Sequence, residues 1–127
     1  MGGTSMDYTV MNQKIVKKIE VKNGIHILDV RDVVYIESEG HYLHIYTLND
    51  RMTIRSKLKD LIEGVEEIFL HSHQSFAVNM SYIKKFENNQ IELCNGKIVP
   101  ISRSRFIESK EKLIKYIESF QKNSQSN

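Results

Sequence analysis

The chain has 127 residues, of which 40% are hydrophobic and 27% are charged. A chain of this length can bury one ordinary core but has no room for two full domains. With one proline and six glycines it also lacks the composition of a disordered or fibrous protein. The formal net charge of +2 is too small to establish a nucleic-acid partner without further evidence.

The charge is unevenly distributed along the chain. The window from Arg51 to Lys59 contains no acid, whereas the preceding stretch from Asp29 to Glu39 is mainly acidic. The cations of the basic window are Arg51, Arg55, Lys57 and Lys59. This segregation is typical of two differently charged solvated faces, and it also permits a basic binding surface.

Cysteine usage and hydropathy bear on the cellular compartment. The lone Cys94 excludes an internal disulfide and is typical of a reducing environment. There is no basic and apolar leader, and charges interrupt every hydrophobic stretch well before the ~20 residues that a membrane helix needs. We therefore expect a cytoplasmic protein that does not span a membrane.

We expect the folded domain to cover residues 15–120. Residues 1–14 are assigned to a linker, in which Met1–Ser5 resemble the remnant of an expression vector ahead of a second methionine. Residues 121–127 are polar and are expected to form a flexible tail.

The first half of the chain predicts antiparallel strands. Valine, isoleucine and tyrosine are frequent from Ile15 to Ile54, and turn residues cut this segment at short intervals. Asn23-Gly24 favours a tight hairpin turn, and Asn49-Asp50 a weaker one. Alternating apolar residues place Leu43 and Ile45 on one face of their strand. The predicted strands cover residues 15–22, 25–30, 33–38 and 42–48.

A short helix and a second series of strands follow. Ser56 is predicted as the N-cap of the helix and Gly64 as its C-terminus, with Leu58, Leu61 and Ile62 buried. Strands then resume at 69–70, 76–79, 82–87, 90–93 and 97–101, with Asn95-Gly96 as their best turn.

The last element predicted is a long helix that packs on a sheet. Its apolar residues recur at intervals of three and four, as on one helix face. These residues are Phe106, Ile107, Leu113, Ile114, Ile117 and Phe120. A dimerising helix is the alternative, although the pattern is short for a coiled coil.

The residues give little support for catalysis. The glycines are scattered and do not form a phosphate-cradling loop. His71 and His73 have the spacing of two metal ligands on one strand face, but a third ligand is not identifiable. Cys94 has no histidine nearby in sequence to activate it. We expect a protein that is not an enzyme and that carries no metal or other cofactor.

Three segments together resemble the LytTR family of bacterial DNA-binding domains. They are Asp32–Tyr42, Phe69–Asn79 followed by Ile83, and Gly96–Arg103. Their order and spacing also agree with the family, and the resemblance covers about residues 15 to 118. Members occur mostly as the output domains of two-component response regulators.

The resemblance implies a mainly β fold, an elongated stack of antiparallel β-sheets with one short helix and a C-terminal helix. It also implies that loops, rather than a recognition helix, enter the major groove. The implied partner is double-stranded DNA with repeated sites, and a receiver domain is expected in a full-length chain. An isolated domain is expected to be a monomer or a weak dimer.

Matching the family motif residue by residue assigns base contacts to His73, Gln74 and Arg103. The loop of the first segment supplies another contact, for which we favour His41 over Tyr42. These residue types suit the task, because arginine offers a fork of donors to guanine and glutamine can both donate to and accept from adenine.

Contacts to the DNA backbone position a protein without reading sequence. The candidates are Lys57, Ser72, Ser75, Ser102, Ser104 and Arg105. The family frequently has arginine where Leu70 or His71 stands, so the phosphate contact of that position is not carried over. In the same region Phe69, Phe76, Val78 and Ile83 are expected in the core, and Asn79 is expected to hold a turn.

Two other functions remain open on the sequence. The same polar loops could bind a protein partner, in which case the basic window is only a solubilising face. A metal-dependent hydrolase would instead use the histidines at positions 41, 44, 71 and 73.

Overall fold

The structure, a computed structural model, describes residues 8 to 125, and their side chains as far as residue 121. The strands of this part of the chain are β1 Thr9–Met11, β2 Lys14–Val21, β3 Gly24–Asp29, β4 Val33–Glu39, β5 Tyr42–Thr47, β6 Arg51–Arg55, β7 Phe69–His73, β8 Phe76–Asn79, β9 Ile83–Glu87, β10 Gln90–Leu93 and β11 Ile98–Pro100. The helices are α1 Leu58–Ile62 and α2 Phe106–Gln125.

The strands form three antiparallel sheets. The first sheet has the order β1-β2-β3, the central sheet β6-β5-β4-β8-β7, and the third sheet β11-β10-β9. The prediction of a mainly β fold with one short helix and a C-terminal helix is therefore confirmed.

Both faces of the central sheet are buried, and this makes the molecule a stack. On one face Leu43 and Ile45 pack against the first sheet and α1. On the other face Leu70 and Val78 pack against the third sheet and Leu113 of α2. A strand covered on both faces needs apolar side chains at successive positions, which explains the continuous buried run Val33–Ile36 of β4.

Two similar turns carry the chain from one sheet to the next. Asp29 leads from β3 into a 3-10 turn before β4, and its carboxylate accepts a hydrogen bond from Arg31 N at 3.0 Å. Asn79 leads from β8 into a 3-10 turn before β9, and its side-chain oxygen accepts from Ser81 N at 2.9 Å. The expected turn role of Asn79 is confirmed.

The ends of several elements differ from the prediction. β1 and its pairing with β2 begin at Thr9, inside the segment assigned to a linker. α1 is capped at Lys57 rather than Ser56, since the Lys57 carbonyl accepts the first helical hydrogen bond, from Leu61 N at 3.1 Å. α2 continues into the predicted tail as far as Gln125. The predicted vector remnant Met1–Ser5 lies outside the described residues, as do Ser126 and Asn127.

The predicted buried face of α2 is wrong for most of its residues. Leu113 is buried, but four others are exposed: Ile107 at 70%, Ile114 at 43%, Ile117 at 47% and Phe120 at 56%. The helix instead packs through Leu113, Tyr116 and the buried Ser109, and Lys112 Nζ donates to Phe69 O at 2.8 Å. The apolar residues therefore lie on two stripes, of which only one meets the sheet.

Replacing Asn79 by alanine should lower the free energy of unfolding by about 1 to 3 kcal/mol, the cost of leaving a buried hydrogen-bonding group without a partner. The side chain is 1% exposed and its Nδ2 donates to Val33 O at 2.9 Å, so the carbonyl would lose that donor. Guanidinium unfolding measures the loss. Asn49→Ala, an exposed change in the β5–β6 turn, is the control and should stay within about 0.5 kcal/mol of wild type. Equal stabilities of the two variants would refute the role of Asn79.

Candidate nucleic-acid interface

Several chain connections meet at one end of the stacked sheets, which we call the loop end. Within the described residues it comprises the β4–β5 turn Gly40-His41, the β6–α1 connection Ser56-Lys57, the β7–β8 turn Gln74-Ser75, the β9–β10 turn Asn88-Asn89 and the β11–α2 connection 101–105. The two turns that lead from one sheet to the next precede β4 and β9, at the end of the stack opposite the loop end. The β5–β6 turn also lies at that opposite end.

Backbone hydrogen bonds join three of these connections. Ser38 N, just before the β4–β5 turn, donates to Ser75 O at 2.8 Å. Ser56 N donates to His41 O at 3.2 Å. These bonds bring His41 and Gln74 into the wall of one groove, of about 700 Å³, which Lys57 also lines. The structure thus brings together three residues from separate parts of the sequence.

A second set of hydrogen bonds attaches the β11–α2 connection. Ser72 is fully buried in β7, and its hydroxyl donates to Pro100 O at 3.0 Å. Its carbonyl accepts from Ser102 N at 2.9 Å. Arg103 is therefore held beside the strand that leads to His73 and Gln74.

The position of Ser72 corrects its predicted role. A phosphate contact needs an exposed hydroxyl, whereas this one is fully buried and already donates to Pro100 O. Ser72 therefore positions the β11–α2 connection and is removed from the candidate contacts.

His73 and Gln74 differ in how firmly they are held. His73 Nδ1 accepts from Ser75 N at 3.0 Å, and its ring meets Phe76 edge-on with ring centroids 5.8 Å apart. With Nδ1 as the acceptor, a neutral ring carries its proton on Nε2, which can then donate to a ligand. Gln74 is exposed at the tip of the turn.

The β11–α2 connection presents cations at the start of a long helix. Arg103 and Ser104 are exposed and Arg105 is half-buried, in the 3-10 turn that precedes α2. Within residues 8 to 121, neither arginine has an ion-pair partner, and the same holds for Lys57. Unpaired cations at a helix N-terminus favour an anionic ligand, because the helix dipole has the same sign there.

Two cations of the groove are not among the site residues predicted from the sequence. Arg55 and Lys59 line it together with Lys57. The Arg55 guanidinium lies over the Tyr42 ring, 5.9 Å from its centroid, which limits its motion. The acid-free window from Arg51 to Lys59 was the signal that could have found them.

Acidic groups are also present at the loop end. Asp60 lines the groove, and Glu39 lies directly before the β4–β5 turn. The Glu39 carboxylate is 2.8 Å from His44 Nε2, and His44 Nδ1 is 2.9 Å from Thr53 Oγ1. This network joins β4, β5 and β6 beside the turn that carries His41.

Comparison with known proteins decides the family. The sequence model of the LytTr DNA-binding domain family matches residues 23–123, which is most of the chain. The chain belongs to the LytTr DNA-binding domain family. The sequence resemblance to this family is therefore confirmed.

Relatives and a solved structure agree with this assignment. The chain is 33% identical over 99 residues to the heme-containing CO-sensing transcriptional regulator RcoM 1 of Paraburkholderia xenovorans, a match that covers 72% of this chain and 37% of that protein. It is 33% identical over 107 residues to the sensory transduction protein LytT of Bacillus subtilis, covering 75% and 42%. The chain thus matches less than half the length of these relatives.

The fold is also that of a solved LytTr DNA-binding domain from Bacillus cereus. The two superpose with a TM-score of 0.65 at 22% identity, over 78% of this chain and 95% of that one. In this LytTr domain, no group of three or more His, Cys, Asp or Glu side chains within the described residues could hold a metal ion. Neither helix of the described part has the length and hydropathy of a membrane span.

His71 lies behind the Gln74 turn in this LytTr domain. Burial lowers the pKa of His71, and the nearby Arg105 guanidinium lowers it further. The Gln74 carbonyl, 3.5 Å from His71 Nε2, raises the pKa of His71 and so opposes these two effects in part. The neutral imidazole is therefore the form that suits the fold.

The lowered pKa of His71 predicts a loss of stability in mild acid. As the pH falls below about 6.5, the ordinary histidine pKa, the unfolded chain takes up a proton before the folded protein does. The stabilisation present above that pH is therefore lost below it. We expect His71→Asn to show a smaller decrease in unfolding free energy than wild type when guanidinium titrations at about pH 8 and about pH 5 are compared. His26→Asn, an exposed change on β3, is the control; a pH dependence equal to that of wild type in His71→Asn would contradict the prediction.

Proposed function

We propose that this domain binds specific double-stranded DNA sequences by inserting its loop end into the major groove, and that it regulates transcription without catalysing a reaction. Since bacterial DNA lies in the cytoplasm, we place its activity there. One observation carries the proposal. Backbone hydrogen bonds join loops from distant parts of the sequence, and exposed polar side chains and unpaired cations therefore lie together at the loop end.

In this proposal His41, His73, Gln74 and Arg103 contact base edges. Arg103 suits guanine, whose O6 and N7 match a bidentate arginine, and Gln74 suits adenine, whose N6 and N7 need a donor and an acceptor. His73 has a fixed ring, so its Nε2–H offers one directed hydrogen bond. A held donor loses less conformational entropy on binding than a mobile one.

Contacts to the DNA backbone would come from residues around the proposed base contacts. Lys57, Ser75, Ser102, Ser104 and Arg105 are proposed to contact phosphates. Arg105 and Ser104 lie at the start of α2, where the helix dipole adds to the attraction for an anion. Arg55 and Lys59 extend this basic surface along the groove wall.

We further propose that the domain is the output domain of a two-component response regulator and binds repeated sites. The support is the length of its relatives. LytT, named as a sensory transduction protein, has more than half of its length outside the matched region, which leaves room for a receiver domain. A monomer or weak dimer that pairs on adjacent half-sites would then be enough.

The alternative is a protein-interaction module that uses the same loops. Ionic strength separates the two functions, because each phosphate contact releases counterions and makes DNA affinity fall steeply with salt. A protein partner held by polar loops would not produce a log–log slope that depends on single lysines.

Replacing Arg103 by alanine should reduce affinity for the preferred site by about 1 to 3 kcal/mol and relax the preference at one base pair. Duplexes selected from a random pool, followed by anisotropy titrations at fixed near-physiological salt, measure both quantities. Arg31→Ala is the control and removes the same charge. Arg31 lies just before β4, away from the loop end, and pairs with Asp29, so this variant should leave the selected motif unchanged. An equal loss on all sequences would refute base reading by Arg103.

Replacing Lys57 by alanine should instead weaken binding by a similar factor on every sequence. The slope of log affinity against log salt should decrease by about one ion, as expected for one lost phosphate contact. Lys115→Ala is the matched control, because Lys115 is exposed on α2 roughly 13 Å along the helix axis from its first residue, Phe106. An unchanged slope in Lys57→Ala would remove it from the phosphate contacts.

A further inference from the structure

We infer that the β9–β10 turn, Asn88-Asn89, is a further DNA-contacting element of the loop end and reads base edges through its two side-chain amides. This inference rests on the proposed function and extends it to a part of the third sheet that carries no predicted contact.

The turn is fixed next to the residues proposed to read DNA. Ile101 N donates to Asn89 O at 3.1 Å, and the neighbouring Ser102 N donates to Ser72 O at 2.9 Å. The β11–α2 connection is thus bound on one side to the strand that carries His73 and Gln74, and on the other side to the Asn88-Asn89 turn. Arg103 follows Ser102 directly in the sequence.

The fold does not use these two amides. Asparagine is common in two-residue hairpin turns because it tolerates positive φ, yet in the described residues only Asn12 and Gln13 among non-glycine residues have it. The other structural use of asparagine is a hydrogen bond to nearby backbone, which Asn79 and Asn95 make through their side-chain oxygens.

Neither structural reason for asparagine applies at Asn88 or Asn89. Both side chains are exposed, and within residues 8 to 121 neither makes a side-chain hydrogen bond. Two adjacent amides, each with a donor and an acceptor, therefore face solvent beside Arg103 with their hydrogen-bonding capacity free.

The chemistry of the turn favours base edges over phosphates. The segment from Phe86 to Gln90 contains no cation, and the exposed Glu87 beside the turn repels a phosphate. A neutral amide, by contrast, matches the N6 donor and N7 acceptor of adenine in the major groove. The expected ligand is therefore an adenine-containing step next to the base pair that Arg103 contacts.

The test compares Asn88→Ala, Asn89→Ala and the double variant with wild type and with Asn49→Ala. Asn49 is also an exposed asparagine in a turn, but it lies at the other end of β5. Starting from the site selected by wild type, each base pair is permuted in turn and affinity is measured by fluorescence anisotropy at fixed salt. Thermal unfolding of each variant checks that the turn still folds.

We expect the double variant to bind the selected site more weakly by roughly 5- to 150-fold, the range for one bidentate base contact, and to lose its preference at base pairs next to those read by Arg103. Asn88→Asp and Asn89→Asp, which keep the shape but replace the donor NH₂, should lose the same preference. Asn49→Ala should behave as wild type.

Three outcomes would overturn the inference. The double variant could keep the affinity and base preference of wild type while Arg103→Ala still loses its preference. That result would reject a DNA contact by the turn and leave the proposed function intact. A loss of equal size on all sequences would show a contact that does not read bases. Failure of wild type to select any motif would reject both the turn and the proposed function.

Discussion

The central five-stranded sheet must bury both of its faces, and the rest of the molecule is arranged around that requirement. An apolar face left in water would cost roughly 25 cal/mol for each Å² exposed. The first sheet with α1 covers one face, and the third sheet with α2 covers the other. The chain must therefore pass from one layer to the next twice, and it does so through the two similar turns that begin at Asp29 and Asn79.

This arrangement explains why loops can serve as a binding surface. Loops are usually more mobile than the strands they connect, and mobile side chains lose entropy when they bind. Here the strands on either side are fixed in the stack, and backbone hydrogen bonds such as Ser38 N to Ser75 O join the turns to one another. The side chains at the loop end are thus carried by a rigid base, although they come from segments far apart in sequence.

Much of the fold could be predicted from local sequence, for physical reasons that differ between elements. Hairpin strands follow from alternation and from turn pairs such as Asn95-Gly96, where Gly96 has the positive φ that a side chain disfavours. The order of strands in the central sheet could not be predicted, because β4 pairs with β8 after three intervening strands and a helix, and the periodicity of a strand does not determine its partner. The family resemblance implied a stack of antiparallel sheets but not this strand order, which the structure supplies.

Helix α2 shows the limit of periodicity in another way. Isoleucines at positions 107, 114 and 117 satisfy a helical spacing, yet they lie on the stripe that does not meet the sheet. Periodicity gives the shape of an apolar stripe but not the element that covers it. Likewise, residue type alone could not separate the buried Ser72 from the exposed Ser104, since both are serines beside proposed base contacts.

Whether the fold already uses a polar atom is therefore the better criterion for a contact residue. The Ser72 hydroxyl and the Asn79 amide are both buried and hydrogen-bonded, and within the described residues no buried side-chain nitrogen or oxygen lacks a partner. The hydrogen bonds of polar groups inside the stack thus stabilise the fold, because leaving one of these groups unpaired would cost free energy. The polar groups that the stack does not use are exposed, and those gathered at the loop end on hydrogen-bonded turns are the ones that a ligand can use without breaking the fold.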